Sequence, residues 1–358
     1  MNDTRVAFLT IFENGIAPNQ RYRLEGFTNR QDFPFRNRYF PILKKSEVND
    51  FYGKEISRKF LLALKFFFRR VLHLFHLKNY NVVVVAREAI PFGTYFFELL
   101  IKKVLKKKMI YDFDDAIWIK KISDGNKKFS FLKSASKYSK IMKLADVVIA
   151  GNSFLADYAK QYNNHVEIIP SCVDLDLYKV VSKMDDNKIC IGWSGSESTL
   201  SHLLSISNVL KMIQMKYEGL VYFKVISSRD NFSVDGLTIK SLKWNATNES
   251  TELEEFDIGI MPLFKNEWSK GKCSMKGIQY MGKGIATVMS NIGTNKEVIQ
   301  HNTNGFLADS ELEWITCLSK LIEDKSLRLS MGAAGRITVE KKYSVQAWLT
   351  TWIKLINS

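Results

Sequence analysis

Short runs of β-branched and aromatic residues recur along this chain, separated by longer stretches in which apolar positions return at helical spacing. The runs at 6–12, 81–87, 108–113, 146–151 and 166–170 read as strands. After Pro170 the rhythm restarts, with strand candidates at 188–195, 221–227, 237–243, 256–262, 286–291 and 305–308. Helical periodicity is clearest at 199–217, 311–323 and 344–356. Strands that alternate with helix-length segments predict parallel sheets of the α/β class. Two such series predict two doubly wound, Rossmann-like domains. Their boundary is expected within 170–187, where a proline precedes the polar stretch Ser182-Lys-Met-Asp-Asp-Asn187. Sheets of this kind bind ligands outside the carboxyl ends of their strands, and two facing domains would place the site in the cleft between them.

One helical stretch stands out. Residues 57–78 (SRKFLLALKFFFRRVLHLFHLK) are basic and aromatic together. Lys65, Arg69 and Arg70 interrupt every apolar run well short of the roughly 18 residues a membrane crossing needs. One reading is a core helix whose cations reach outward to water. The other is a helix lying in the plane of an anionic membrane, phenylalanines down and cations at the headgroups.

The 358 residues exceed one ordinary core, which agrees with two domains. Hydrophobic content of 46% with 25% charged residues fits a folded globular protein and argues against disorder. Cys172, Cys190, Cys273 and Cys317 lie far apart without metal-site spacing, which suggests free thiols in a reducing compartment. The first residues lack the basic start and small-residue cleavage site of a secretory signal, so a cytoplasmic protein is expected. On that ground the sequons at Asn245 and Asn248 read as chance. The formal net charge of +15 could serve nucleic acid, an anionic membrane surface or a phosphorylated substrate. The sequence carries no zinc finger, KH-type loop or RNP motif, so nucleic acid is not the expected partner.

Chemistry concentrates in 255–297. A strand candidate ending at Pro262 leads through a loop to Lys272-Cys-Ser-Met-Lys276, read as the opening of a short helix that Gly282 and Gly284 end. Lysines four apart would share one helix face. Near a helix N-terminus two cations are disfavoured by the dipole, and an arriving diphosphate would reverse that penalty. Two solvated surface lysines are the plainer alternative. Further on stand Gln279-Tyr-Met-Gly-Lys-Gly284 and Gly293-Thr-Asn-Lys-Glu297.

In that order the block resembles the donor-binding region of the retaining GT-B glycosyltransferases, in particular the large family four. The family carries an acidic residue, seven intervening residues, a glutamate, a small-residue helix end, then a strand and a Gly-x-x-Glu turn. Here Gly271 stands in the first acidic position and Gln279 in that of the glutamate, with Glu267 a nearby carboxylate that could substitute. The resemblance implies that Gln279, Gly293, Thr294 and Glu297 bind the donor. It implies too that Ile191-Gly-Trp-Ser-Gly-Ser196 is the glycine-rich turn near the diphosphate, through Gly192, Ser194, Gly195 and Ser196. The family's lysine after that turn is missing, since Glu197 follows, and Lys272 and Lys276 are the expected substitutes. A turn that serves only packing is the alternative. Metal is not expected, and the nucleotide sugar enters as substrate.

Tyr111-Asp-Phe-Asp-Asp-Ala-Ile-Trp118 follows another strand candidate. Three carboxylates in four residues are costly together unless cations, a metal or a hydroxyl-rich ligand meets them. The block resembles an Asp-x-Asp-Asp-Ala-x-Trp signature in one branch of the same family, of bacterial surface-polysaccharide type. That implies acceptor binding by Asp114 and Asp115, with Asp112 structural; helix capping is the alternative. The resemblance also places Arg21, Arg23, Arg87 and Glu88 on the acceptor side. It implies domains at 1–170 and 171–340 and a helix at 341–358, carrying Trp348 and Trp352, that returns to the first domain. The expectation is thus a hexosyltransferase acting with retention on a saccharide acceptor, lipid-linked, at the inner face of the cytoplasmic membrane. Its rivals are a catalytically silent relative, suggested by Gly271 and Gln279, and a metal-dependent GT-A enzyme reading Asp112-Phe-Asp114 as its metal-binding triplet.

Overall fold

The computed structural model describes residues 4–53, 55–119, 135–181, 187–229 and 231–358. Residues 182–186, part of the 170–187 stretch within which the boundary between domains was expected, lie outside these residues. The chain divides into two compact units, Met1–Ser171 with Leu349–Ser358, and Cys172–Trp348.

The first unit holds six parallel strands: β1 (Arg5–Phe12), β2 (Arg36–Leu43), β3 (Val82–Ala86), β4 (Lys108–Phe113), β5 (Val147–Ala150) and β6 (Val166–Ile168). Their order is β2-β1-β3-β4-β5-β6. β3 and β5 are buried along their whole length, as strands covered on both faces must be. The sequence pattern missed β2. Its first half, Arg36-Asn-Arg38, is exposed and polar, and Pro41 interrupts it. Both are tolerated because β2 lies at the sheet edge, where a missing N–H leaves no ladder bond unmade. The C-terminal residues pack in this unit too: the Trp352 ring lies 5.8 Å from that of Phe27, and the Lys108 ammonium donates to the Leu355 carbonyl at 2.7 Å.

The second unit holds β7 (Ile189–Gly195), β8 (Val221–Ser227), β9 (Ile239–Lys243), β10 (Ile258–Met261), β11 (Ala286–Ser290) and β12 (Phe306–Ala308). These are parallel in the order β12-β11-β10-β7-β8-β9. Its core gathers Trp193, Leu210, Ile213, Phe223, Val288, Trp314 and Leu321. The strand order reverses between β1 and β3 in the first sheet and between β7 and β10 in the second, the two places where such sheets open a crevice for ligand.

Candidate functional site

At the switch point of the second unit, β7 ends in Trp193-Ser-Gly195. The helix Met275–Gly282 runs beside it, and the Tyr280 hydroxyl accepts the Ser194 backbone N–H at 2.8 Å. Lys276 lies in the first turn of that helix. A Cβ added to Gly195 would stand 2.5 Å from its Cε, so the lysine stem crosses the bare face of Gly195. Its ammonium sits 5.4 Å from the centre of the Trp193 ring. Here glycine is needed for the close approach of a side chain. Gly192 serves otherwise: inside β7 its missing Cβ makes room for the Phe256 ring, which would lie 2.1 Å away. Its missing side chain serves packing. Ser196 is exposed, its hydroxyl 2.9 Å from that of Ser198.

Lys272 and Lys276 do not share a helix face. The helix begins only at Met275, and the Ser274 before it takes a left-handed backbone, φ 54°, that non-glycine residues rarely adopt. That kink is held by a buried chain of bonds. The Ser274 hydroxyl donates to Asn295 Oδ1 at 2.7 Å, Asn295 Nδ2 donates to the Ser290 carbonyl at 2.8 Å, and Ser290 Oγ accepts the Leu263 N–H at 2.8 Å. Lys272 therefore comes from the irregular segment before the kink, its ammonium 5.2 Å from the Trp268 ring centre. Each lysine rests on an indole face, an attraction a diphosphate can compete with. Gly293, φ 52°, brings its loop against the Lys270 backbone, 2.8 Å from where a Cβ would be. Next to it the Thr294 side chain is buried, and its hydroxyl finds no protein partner among the described residues. Glu297 is exposed in the short helix Asn295–Val298.

One expectation in this unit requires correction. Gln279, placed on the ribose by resemblance, is 3% exposed, and its amide donates to the Tyr178 hydroxyl at 2.8 Å. Its position in the middle of the helix turns it into the body of the unit. Glu267, the suggested substitute carboxylate, is exposed and pairs with Lys270 one helical turn away.

In the first unit the carboxylates of 112–115 meet arginines. Arg23, expected to face the acceptor, is 2% exposed and instead clamps Asp112: Nε lies 2.9 Å from Oδ2, Nη2 lies 2.6 Å from Oδ1, and Nη1 donates to the Ile169 carbonyl at 2.8 Å. Burial pushes the Asp112 carboxyl up, and the guanidinium pulls it back. Asp112 is thus structural, as expected, and Arg23 is its partner rather than a ligand contact. Arg87, half-buried just past β3, binds both Asp114 (2.9 Å) and Asp115. Its backbone is left-handed, φ 63°, and is fixed by its N–H to the Asp112 carbonyl (2.8 Å) and by the Tyr111 hydroxyl to its own carbonyl (2.7 Å). Strain kept at a strand's end by such bonds marks a position worth testing for function. Glu88 pairs with the buried Lys137 at 2.9 Å, and Arg21 lies over the Tyr22 ring at 5.1 Å. The Trp118 ring of the same block stacks on Tyr158 with centroids 3.7 Å apart. Residues 120–134, directly after it, lie outside the described part. Among the described residues no group of three or more His, Cys, Asp or Glu is arranged to hold a metal ion.

Sequence reasoning missed Tyr178, Tyr280, Ser274 and Asn295, whose partners lie far along the chain. Only Trp193, an aromatic set between two glycines of the expected turn, offered a local signal.

No protein-family model matches the chain, and no curated protein sequence matches it. Its fold does match solved structures. A glycosyltransferase from Rickettsia africae superposes with a TM-score of 0.69 at 15% identity, covering 100% of this chain and 98% of that one. HepE from Anabaena in complex with UDP-glucose gives 0.69 at 12%, covering 99% of each. A sucrose-phosphate synthase from Thermosynechococcus elongatus gives 0.66 at 11%, covering 99% and 98%. The fold is GT-B. With two six-stranded parallel sheets in that fold, and Asp112 buried beneath Arg23, the GT-A reading of Asp112-Phe-Asp114 falls away.

Proposed function

We propose that the protein is a glycosyltransferase that moves a hexosyl group, with retention, from a nucleotide-diphosphate sugar to a lipid-linked saccharide acceptor in surface-polysaccharide assembly. It works on the cytoplasmic face of the membrane. The observation that carries the reading is Lys276 laid across Gly195 at the switch point of the second sheet. There a cation and a glycine-opened backbone converge where such sheets take nucleotides. HepE, alike in fold, is seen with UDP-glucose. Lys272 and Lys276 stabilise charge on the departing diphosphate, the work a metal does elsewhere, so transfer needs no metal. Asp114 and Asp115, oriented by Arg87, receive acceptor hydroxyls.

The test is a thermal-shift panel with UDP, GDP, ADP, CMP and dTDP, each with and without EDTA, followed by assay of nucleotide release from the matching donor. A nucleotide at a hundred times its Kd adds about 2.7 kcal/mol, enough to move the melting point by degrees. The expected result is a selective shift that survives EDTA and is lost in Lys276→Ala, with turnover of Lys272→Ala and Lys276→Ala down by about 10²- to 10³-fold. No shift with any nucleotide would overturn the reading. A shift without release from any donor sugar would leave a silent relative in its place.

A further inference from the structure

The helix Ile56–Leu77 has two apolar faces, and the unit covers only one of them. Leu62, Phe66 and Leu77 are buried against the first sheet's helices and strands, and beside them the fully buried Arg70 donates to the carbonyls of Ala89, Phe40 and Thr10. On the other side Phe60, Leu61, Leu64, Phe67, Phe68, Leu72 and Phe75 are each 42–67% exposed. At 3.6 residues per turn these seven fall within a sector of roughly 140°. The surface continues beyond the helix. Phe67 meets the Phe97 ring at 5.5 Å, which brings up Phe96, 48% exposed. Contiguous exposed apolar surface of this kind marks a docking face, since isolated exposed residues would be scattered.

We infer that this face lies in the headgroup region of an anionic bilayer, phenylalanines among the acyl chains and cations at the phosphates. Charge selects the occupant. The helix sequence from Ile56 to Leu77 contains no acidic residue. At 3.6 residues per turn Lys65 stands at the edge of the apolar sector, its ammonium 4.0 Å from the Glu47 carboxylate, and Lys78 stands at the helix end, its ammonium 5.6 Å from the Phe75 ring centre. The second basic cluster adjoins them: the Lys107 ammonium donates to the Lys78 carbonyl at 2.8 Å, and Lys103 and Lys106 are exposed beside Val104. A two-fold pairing of copies through this face would set one basic rim against the other. A bilayer carrying acidic lipid offers both the apolar volume and the opposite charge. The inference deepens the proposed membrane setting but concerns a different surface from the proposed nucleotide site, so its failure would leave the transferase reading standing.

The test is sedimentation of the full chain, without nucleotide or sugar, with vesicles of phosphatidylcholine alone or with added phosphatidylglycerol. Binding is expected only to the anionic vesicles, and it weakens as salt rises. The Phe60→Ser/Phe68→Ser/Phe75→Ser variant is expected to bind at least about tenfold more weakly, having lost three insertable rings. Its melting temperature stays unchanged, because those rings are exposed. Should that variant misfold, Lys103→Glu/Lys106→Glu reads the charge contribution with a loss in the same direction. Equal binding to both vesicle types, no binding to either, or self-association that the triple variant abolishes would overturn the inference.

Discussion

Replacing Gly195 by alanine tests the centre of the proposed nucleotide site with a single methyl group. The added Cβ would stand 2.5 Å from Lys276 Cε and 2.6 and 2.7 Å from two atoms of the Trp193 ring. Carbon atoms pack at roughly 3.5–4.0 Å, so about 1 Å must be found. Trp193 is 1% exposed within the core of the second unit and cannot yield cheaply. The Lys276 stem is the softer partner and must leave its place across Gly195. Overpacking of this kind costs about 1–3 kcal/mol of stability. Misplacing a catalytic group by 1 Å costs on the order of 10²-fold in rate. The expected result is therefore a modest fall in melting temperature with loss of the nucleotide-induced shift and about a hundredfold lower kcat/KM. Gly219→Ala is the control. Its φ of 75° makes alanine strained, about 1 kcal/mol, but nothing lies within 4 Å of the new methyl. It should lose comparable stability and keep its activity. Wild-type nucleotide binding and turnover in Gly195→Ala would refute the placement of the donor diphosphate against Lys276.

Two further outcomes concern the first unit. Asp112→Ala strands the buried Arg23 guanidinium and should cost about 3–5 kcal/mol, read as a lower urea midpoint. His73 is held down to about 3 by burial, with Arg70, His76, Arg69 and Arg38 adding to the effect, so the unfolded chain binds its proton first, near 6.5. Stability should fall as pH drops from about 6.5 toward 3, by at most about 1.4 kcal/mol per pH unit from this group. His73→Gln should flatten that part of the urea-midpoint profile.

The sheets were legible because covered parallel strands are short apolar runs, as in β3, β5, β10 and β11, and eleven of the twelve strands now described overlap a strand candidate of the sequence. β2 escaped because an edge strand may be polar and may hold Pro41. The site was less legible. Local sequence could suggest that three carboxylates needed cations, but it could not pair them with Arg23, from the helical segment after β1, and Arg87, from the end of β3. The same holds for the Lys272-to-Lys276 segment. Spacing alone reads as one helix face, and what breaks the helix at Ser274 is a hydrogen bond to Asn295, 21 residues on. Backbone conformation imposed by distant partners is invisible to periodicity.

That limit bears on the silent-relative reading, which drew its support from Gly271 and Gln279. Gly271 ends the short helix Glu267–Lys270, its N–H bonded to the Trp268 carbonyl at 3.1 Å. Gln279 is enclosed and tied to Tyr178. A neutral amide there costs less to bury than a carboxylate would, and it satisfies the tyrosine hydroxyl as well. The departure at Gln279 thus has a packing reason in this chain, whereas the helical backbone of Gly271 would accept any residue. The charge expected to act on the diphosphate comes from lysines whose stems and indole supports are in place. The choice between an active and a silent protein therefore rests on measurement: loss of nucleotide release in Lys272→Ala and Lys276→Ala would support the active reading, and no release from any donor by the unaltered protein would support the silent one.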